Sequence, residues 1–77
     1  MEQLHDFRLY DWMLDIPELK SCKTTVTFAF ALEHRRLGMD RKTITAIGAQ
    51  NKMRVTPAIW RLTDQYLDRL IESYKNE

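Results

Sequence analysis

A few titratable residues have types and spacings that could support chemistry, but each has a simpler structural explanation. His34 follows Glu33 and precedes two arginines, a setting that could assist proton transfer. No nucleophile stands near His34 in the sequence, and an isolated histidine does not make a catalytic mechanism. We therefore predict that His34 is a solvated residue at a helix end. His5, which precedes Asp6, is interpreted in the same way.

The lone cysteine and a pair of aspartates give no stronger indication of catalysis. Cys22 lies between Lys20 and Lys23, and neighbouring cations can activate a thiol, although a small residue at a helix start explains it equally well. Asp11 and Asp15 would share a helical face, but paired carboxylates need a metal ion or an opposing partner. One cysteine and two distant histidines form no recognisable zinc cluster, and two glycines are too few for a phosphate-binding loop. We predict no catalytic residue, metal, cofactor or small-molecule substrate, and therefore no enzyme.

Charge is distributed unevenly along the chain, although the net charge is only +1. Residues 1–19 contain five acids and one arginine, residues 20–61 contain nine basic and two acidic residues, and residues 62–77 contain four acids and two basic residues. A basic centre of this kind can bind nucleic-acid phosphate through counterion release. Alternatively, the acidic and basic segments pair within the fold or across a dimer. The sequence leaves both explanations open.

Length and composition indicate one small folded unit. The 77 residues have room for one core, so we predict a single all-α domain over residues 1–77. Apolar residues make up 44% of the chain and charged residues 30%, as in ordinary globular proteins. The longest nearly apolar run, residues 26–32, is too short to span a membrane, and the first residues do not resemble a secretory signal. We expect a cytoplasmic protein without a membrane partner, and a homodimer, because so small a domain buries little surface alone.

Four segments have the periodicity and boundary residues of helices, which predicts a compact four-helix bundle. The first runs from residue 2 to about residue 14. The second begins after the N-cap residue Ser21 and ends before Gly38. The third begins after Asp40 and runs to about residue 51, and the fourth begins after Thr56. We expect the second helix to lie at the centre of the bundle.

The second predicted helix begins with a segment that also has strand-like features. Residues 24–30 are rich in β-branched and aromatic side chains, and apolar residues alternate with period two. The residues that follow favour a helix, with Arg35 and Arg36 near the end where the helix dipole favours cations. No other segment supplies a partner strand. We therefore predict a helix that is buried nearly all round.

Residues 45–62 resemble the helix-turn-helix of bacterial DNA-binding regulators. In this resemblance, Ala49 is the small residue at which the two helices cross, Met53 and Val55 fill the turn, and residues 55–59 begin the recognition helix. The resemblance covers 18 of the 77 residues and places the motif in the third and fourth predicted helices. It implies a small non-enzymatic DNA-binding or regulatory accessory protein, of a size typical of phage or plasmid genes.

The DNA-binding hypothesis assigns a set of polar residues to double-stranded DNA. Thr56 and Arg61 would meet base edges or phosphate at the first turns of the fourth helix, and the remaining cations would hold the flanking backbone. The predicted nucleic-acid-binding residues are Arg41, Lys42, Lys52, Arg54, Thr56 and Arg61.

The alternative hypothesis is a protein-interaction module or inhibitor that does not bind nucleic acid. Two tryptophans, three tyrosines and three phenylalanines are many for one small core, and exposed aromatic side chains anchor protein interfaces. The predicted partner-binding residues are Trp12, Trp60 and Tyr66. The acidic first helix could itself mimic nucleic acid toward a basic protein partner.

Overall fold

The computed structural model describes residues 3–76, and every regular element in that range is helical. A 3₁₀ turn spans Asp11–Asp15 and is followed by three α-helices. These are α1, Cys22–Arg36; α2, Arg41–Gln50; and α3, Pro57–Lys75. The predicted all-helical class is confirmed, and the segment with strand-like features lies inside α1.

The predicted count of four helices is wrong, because residues 3–10 do not form a helix and only the 3₁₀ turn follows them. The apolar side chains here are not buried along one helical face, since Leu4 and Leu9 are exposed whereas Phe7 packs edge-on against Phe30 of α1. The segment is held by individual contacts with α1 and α3, which suit an extended chain. A short helix with no apolar stripe to bury lacks its main source of stability.

Helix α1 lies at the centre of the fold, and α2, α3 and the 3₁₀ turn all pack against it. Its middle residues, from Phe28 to Leu32, are almost completely buried, as the sequence predicts. The β-branched start of α1 fits a helix because the hydroxyls of Thr25 and Thr27 donate to backbone carbonyls one turn earlier. These bonds satisfy polar groups that would otherwise be buried without a partner.

The helix boundaries follow the predicted capping residues. The Ser21 hydroxyl accepts from the Thr24 backbone N–H at the start of α1, and Asp40 and Thr56 cap α2 and α3 in the same way. Gly38 ends α1 with a φ of 91°, a conformation that side chains with a Cβ rarely adopt. These predictions are confirmed.

The Glu33 side chain, near the end of α1, is buried. The Glu33 carboxylate accepts two hydrogen bonds from the Arg36 guanidinium, at 2.7 and 2.8 Å, and one from the Tyr74 hydroxyl at 2.9 Å. Burial raises the pKa of Glu33, but these hydrogen bonds outweigh it and leave the pKa below its ordinary value. The contacts join the last turn of α3 to α1.

His34 is fully buried, so the prediction of a solvated histidine is wrong. Its Nε2 atom accepts from the His5 backbone N–H at 2.9 Å, which requires Nδ1 to carry the proton that it donates to the Phe30 carbonyl at 2.8 Å. The amino-terminal segment covers the imidazole, a contact that sequence neighbours do not reveal. Burial lowers the pKa of His34, because the charged ring would lose its hydration.

We expect the protein to lose stability as the pH falls below about 6.5, the ordinary pKa of histidine. The unfolded chain takes up a proton on His34 before the folded chain does, so the free energy of unfolding falls by up to about 1.4 kcal/mol per pH unit until the lower folded-state pKa is reached. Glu33, whose folded pKa is also lowered, adds its loss only under more acidic conditions. Denaturant titrations across this range measure the slope. His34→Gln keeps an acceptor but cannot titrate, so a variant with the unchanged pH slope would contradict the assignment.

Candidate nucleic-acid interface

An open groove of about 500 Å³ lies between the first half of α1 and the first half of α3. Apolar side chains line part of it, and cations lie among them. The apolar residues include Leu19, Ile59 and Leu62, and the cations are Lys23, Arg54 and Arg61. Glu18 is the acidic residue in the lining. The groove therefore combines an apolar surface with an excess of positive charge.

The turn between α2 and α3 determines where two of the predicted cations lie. The Met53 backbone N–H donates to the Gly48 carbonyl at 2.7 Å, which folds the chain tightly back on the end of α2. Lys52 has a φ of 59° in this turn. Lys52 and Arg54 line a second, smaller cavity next to the main groove, which Arg54 also lines. The turn thus brings both cations beside the start of α3.

The tight turn depends on Gly48. A Cβ atom at this position would collide with the Met53 carbonyl oxygen and lie 3.2 Å from the Phe30 ring. Ala49, which the helix-turn-helix resemblance assigns as the small crossing residue, is exposed instead. Close packing therefore occurs at Gly48, against the turn and α1. Met53 and the nearby Val55 are half-buried against the core.

The cations near the start of α3 differ from most arginines of the chain, which contact other side chains. Arg35 forms an ion pair with Asp64 and donates to Thr63, and Arg36 binds Glu33. Other guanidinium groups lie over aromatic rings, namely those of Arg8, Arg41 and Arg69. Around the main groove and the adjoining cavity, four cations have side chains with no ion pair, hydrogen bond or ring contact with residues 3–76: Lys23, Lys52, Arg54 and Arg61. We call these four residues the basic face.

The structure brings together half of the predicted nucleic-acid-binding set in the main groove. Arg54, Thr56 and Arg61 all line it, and Lys52 lies in the adjoining cavity. The Thr56 hydroxyl oxygen caps α3 by accepting from Ile59, which leaves its O–H free to donate.

Arg41 and Lys42 are exposed at the first turn of α2 and are not part of the groove lining. The Arg41 guanidinium lies 5.5 Å from the centre of the Trp60 ring, and that of Arg35 lies 4.9 Å from it. Lys42 is close to Asp40, whose pKa is lowered chiefly by hydrogen bonds from Thr43 and further by this lysine.

Lys23 is the groove cation that the sequence interpretation did not select. It lies in the first turn of α1, one turn before Thr27, which lines the same groove. The i, i+4 spacing places both side chains on one helical face. Nothing in the local sequence indicates that this face meets α3, so the signal was not available without the fold.

The three predicted partner-binding residues are half-buried and contact other side chains of the chain. Trp12 stacks on Tyr66 with ring centres 5.8 Å apart, and its indole N–H donates to the Ser73 hydroxyl at 3.2 Å. Tyr66 also packs edge-on against Phe28. Trp60 lies elsewhere, beside the Arg35 and Arg41 guanidinium groups. The three residues therefore do not form one surface.

The described residues contain neither a metal-binding cluster nor a membrane-spanning helix. Within residues 3–76, no three histidine, cysteine or acidic side chains are grouped closely enough to hold a metal ion. None of the helices in this range is both long and apolar enough to cross a bilayer.

No known protein family, curated protein or solved structure matches this chain. The groove and its charges are therefore the features of this chain that bear on its function.

Proposed function

We propose that this chain is a small non-enzymatic DNA-binding protein that holds duplex DNA against the first half of α3. The observation that supports this most directly is the basic face, whose four cations have no partner among residues 3–76. Cations that are already paired would have to break those contacts to bind phosphate. Unpaired cations exchange only their counterions, and this release is the main source of affinity for DNA.

The first turns of α3, which carry Arg61 of the basic face, are best suited to enter a major groove. Ala58, Arg61 and Gln65 all line the main groove and repeat at helical spacing, so they share one side of α3. Arginine and glutamine are side chains that form paired hydrogen bonds with guanine and adenine. In this arrangement Arg61 and Gln65 contact bases, and Lys52 and Arg54 contact the phosphate backbone.

The contacts of the aromatic residues favour DNA binding over the alternative of an aromatic protein-binding surface. Trp12 and Tyr66 stack on each other and join the amino-terminal segment to α3, so their burial already stabilises the fold. Interface anchors are side chains that remain available for a partner's pocket. The cations of the basic face meet that condition, whereas these aromatic side chains do not.

Binding to a fluorescently labelled generic duplex should weaken steeply with salt. Two to three phosphate contacts, from Lys52, Arg54 and at most Lys23, predict that affinity falls by about 12-fold to about 40-fold between about 50 and about 200 mM monovalent salt. Fluorescence anisotropy at several salt concentrations gives the slope and therefore the number of contacts. Absence of binding at the lowest salt concentration, or an affinity that does not change with salt, would contradict the proposal.

A further inference from the structure

The 3₁₀ turn carries an exposed apolar side chain between two free carboxylates. Leu14 is 62% exposed, the highest value among the large apolar residues described, while its neighbour Met13 is buried. Asp11 and Asp15 are exposed, and neither has an ion pair or hydrogen bond with residues 3–76. We call Asp11, Leu14 and Asp15 the acidic knob. The knob therefore presents an apolar side chain flanked by two negative charges, which suits a surface that is apolar and cationic.

The main groove has the opposite character and could accept such a knob. Its apolar lining would cover the leucine, and its three unpaired cations would face the two carboxylates. The knob does not fill the groove of its own chain, because Leu14 is exposed and none of the knob residues belongs to the groove lining. Any surface that covers the knob therefore belongs to another molecule.

We propose that a second copy of this chain supplies it, so that the acidic knob of each protomer sits in the groove of its partner. Leu14 precedes the groove residue Leu19 by five positions, which limits their separation to about 18 Å. Knob and groove are thus neighbouring patches, and a single two-fold rotation can bring both knobs into both grooves. Such reciprocal contacts close on themselves and give a dimer.

Dimer formation is separate from DNA binding and does not depend on it. Arg54 and Arg61 would be covered in the dimer, so a second copy and DNA would compete for the same cations. The dimer can nevertheless be measured without DNA. If the chain does not dimerise, the proposal of DNA binding still stands. If the chain does not bind DNA, the proposal of a dimer still stands.

Exchange of charges between the two surfaces provides the test, with sedimentation equilibrium over about a hundredfold range of protein concentration as the measurement. The unmodified chain should reach twice the mass of one protomer. Asp11→Lys/Asp15→Lys places cations against the cationic groove, and Arg54→Glu/Arg61→Glu places acids against the acidic knob, so each variant alone should remain monomeric. An equimolar mixture of the two should form a heterodimer, because both of its contacts are again complementary.

Several outcomes would overturn the proposal: an unmodified chain that stays monomeric throughout, a charge variant that still dimerises alone, or a mixture that does not associate. Leu14→Ser keeps every charge and should raise the dimer dissociation constant about tenfold or more, since the apolar contact is lost. An unchanged constant for this variant would also overturn it. Circular dichroism establishes that each variant is folded, as expected for exposed side chains without internal partners. We expect Asp11→Lys/Asp15→Lys to retain DNA binding, which would show that the acidic knob is not part of the DNA-binding surface.

Discussion

Replacing Arg54 and Arg61 with glutamate should lower the affinity for duplex DNA by about a hundredfold at about 50 mM salt. The change removes a phosphate contact at Arg54 and a base contact at Arg61, and it places two acids against the DNA. The salt dependence should become shallower at the same time, because binding with fewer phosphate contacts releases fewer counterions. Anisotropy titrations of the variant and the unmodified chain at matched salt concentrations measure both effects.

A matched variant separates a local contact from a general effect of net charge. Lys20→Glu/Lys75→Glu makes the same change in net charge at two exposed lysines outside the basic face. Long-range attraction would weaken equally in both variants, so the control should lose only a small part of its affinity. Equal losses would show that DNA does not bind at Arg54 and Arg61. Neither pair of residues has an internal partner among residues 3–76, so both variants should remain folded.

The sequence predicted the ends of α1, α2 and α3 well because those ends depend on residues that are close together in the chain. Ser21, Asp40 and Thr56 each accept a hydrogen bond from a backbone N–H three residues later. Gly38 supplies a left-handed backbone conformation directly after a helix. Such signals depend little on tertiary packing. The strand-like pattern at the start of α1 was outweighed because no partner strand was available.

The amino-terminal segment was predicted incorrectly because its contacts are far away in the sequence. Trp12 donates to Ser73, 61 residues later, and the His5 backbone donates to His34, 29 residues later. The helical periodicity of the first 14 residues shows only the spacing of apolar side chains. It gives no information about these distant partners. The same missing information made His34 look solvated, since the residues beside it in the sequence are charged.

The candidate site shows a similar division between what the sequence revealed and what needed the fold. The excess of basic residues in the middle of the chain is visible from composition alone. Composition does not show which of those cations are unpaired. Arg35 is paired with Asp64, and Arg36 with Glu33, in the folded chain. Lys23 joins the groove only because α1 and α3 pack together.

Replacing Gly48 with valine should destabilise the protein by about 3 kcal/mol or more, a large share of the stability of so small a domain. The added side chain would collide with the Met53 carbonyl oxygen, which is backbone and cannot rotate away, and would press on the buried Phe30 ring. The turn would have to open or α2 would have to move away from α1. Thermal unfolding should show a fall in Tm of roughly 12 to 24 °C for a domain of this length.

Ala49→Val is the matched control, because it adds a β-branched side chain at the adjacent position of the same helix. Ala49 is exposed, so we expect a loss of only about 0.5 kcal/mol from lower helix propensity. The two variants differ in what faces the new side chain, and the difference between their unfolding free energies therefore measures the close contact at Gly48. A large loss at Ala49 with little loss at Gly48 would instead place the close contact where the helix-turn-helix resemblance implies it, between the third and fourth predicted helices. The position of α3 relative to the turn, and with it the orientation of Arg54, would then differ from the arrangement on which the basic face depends.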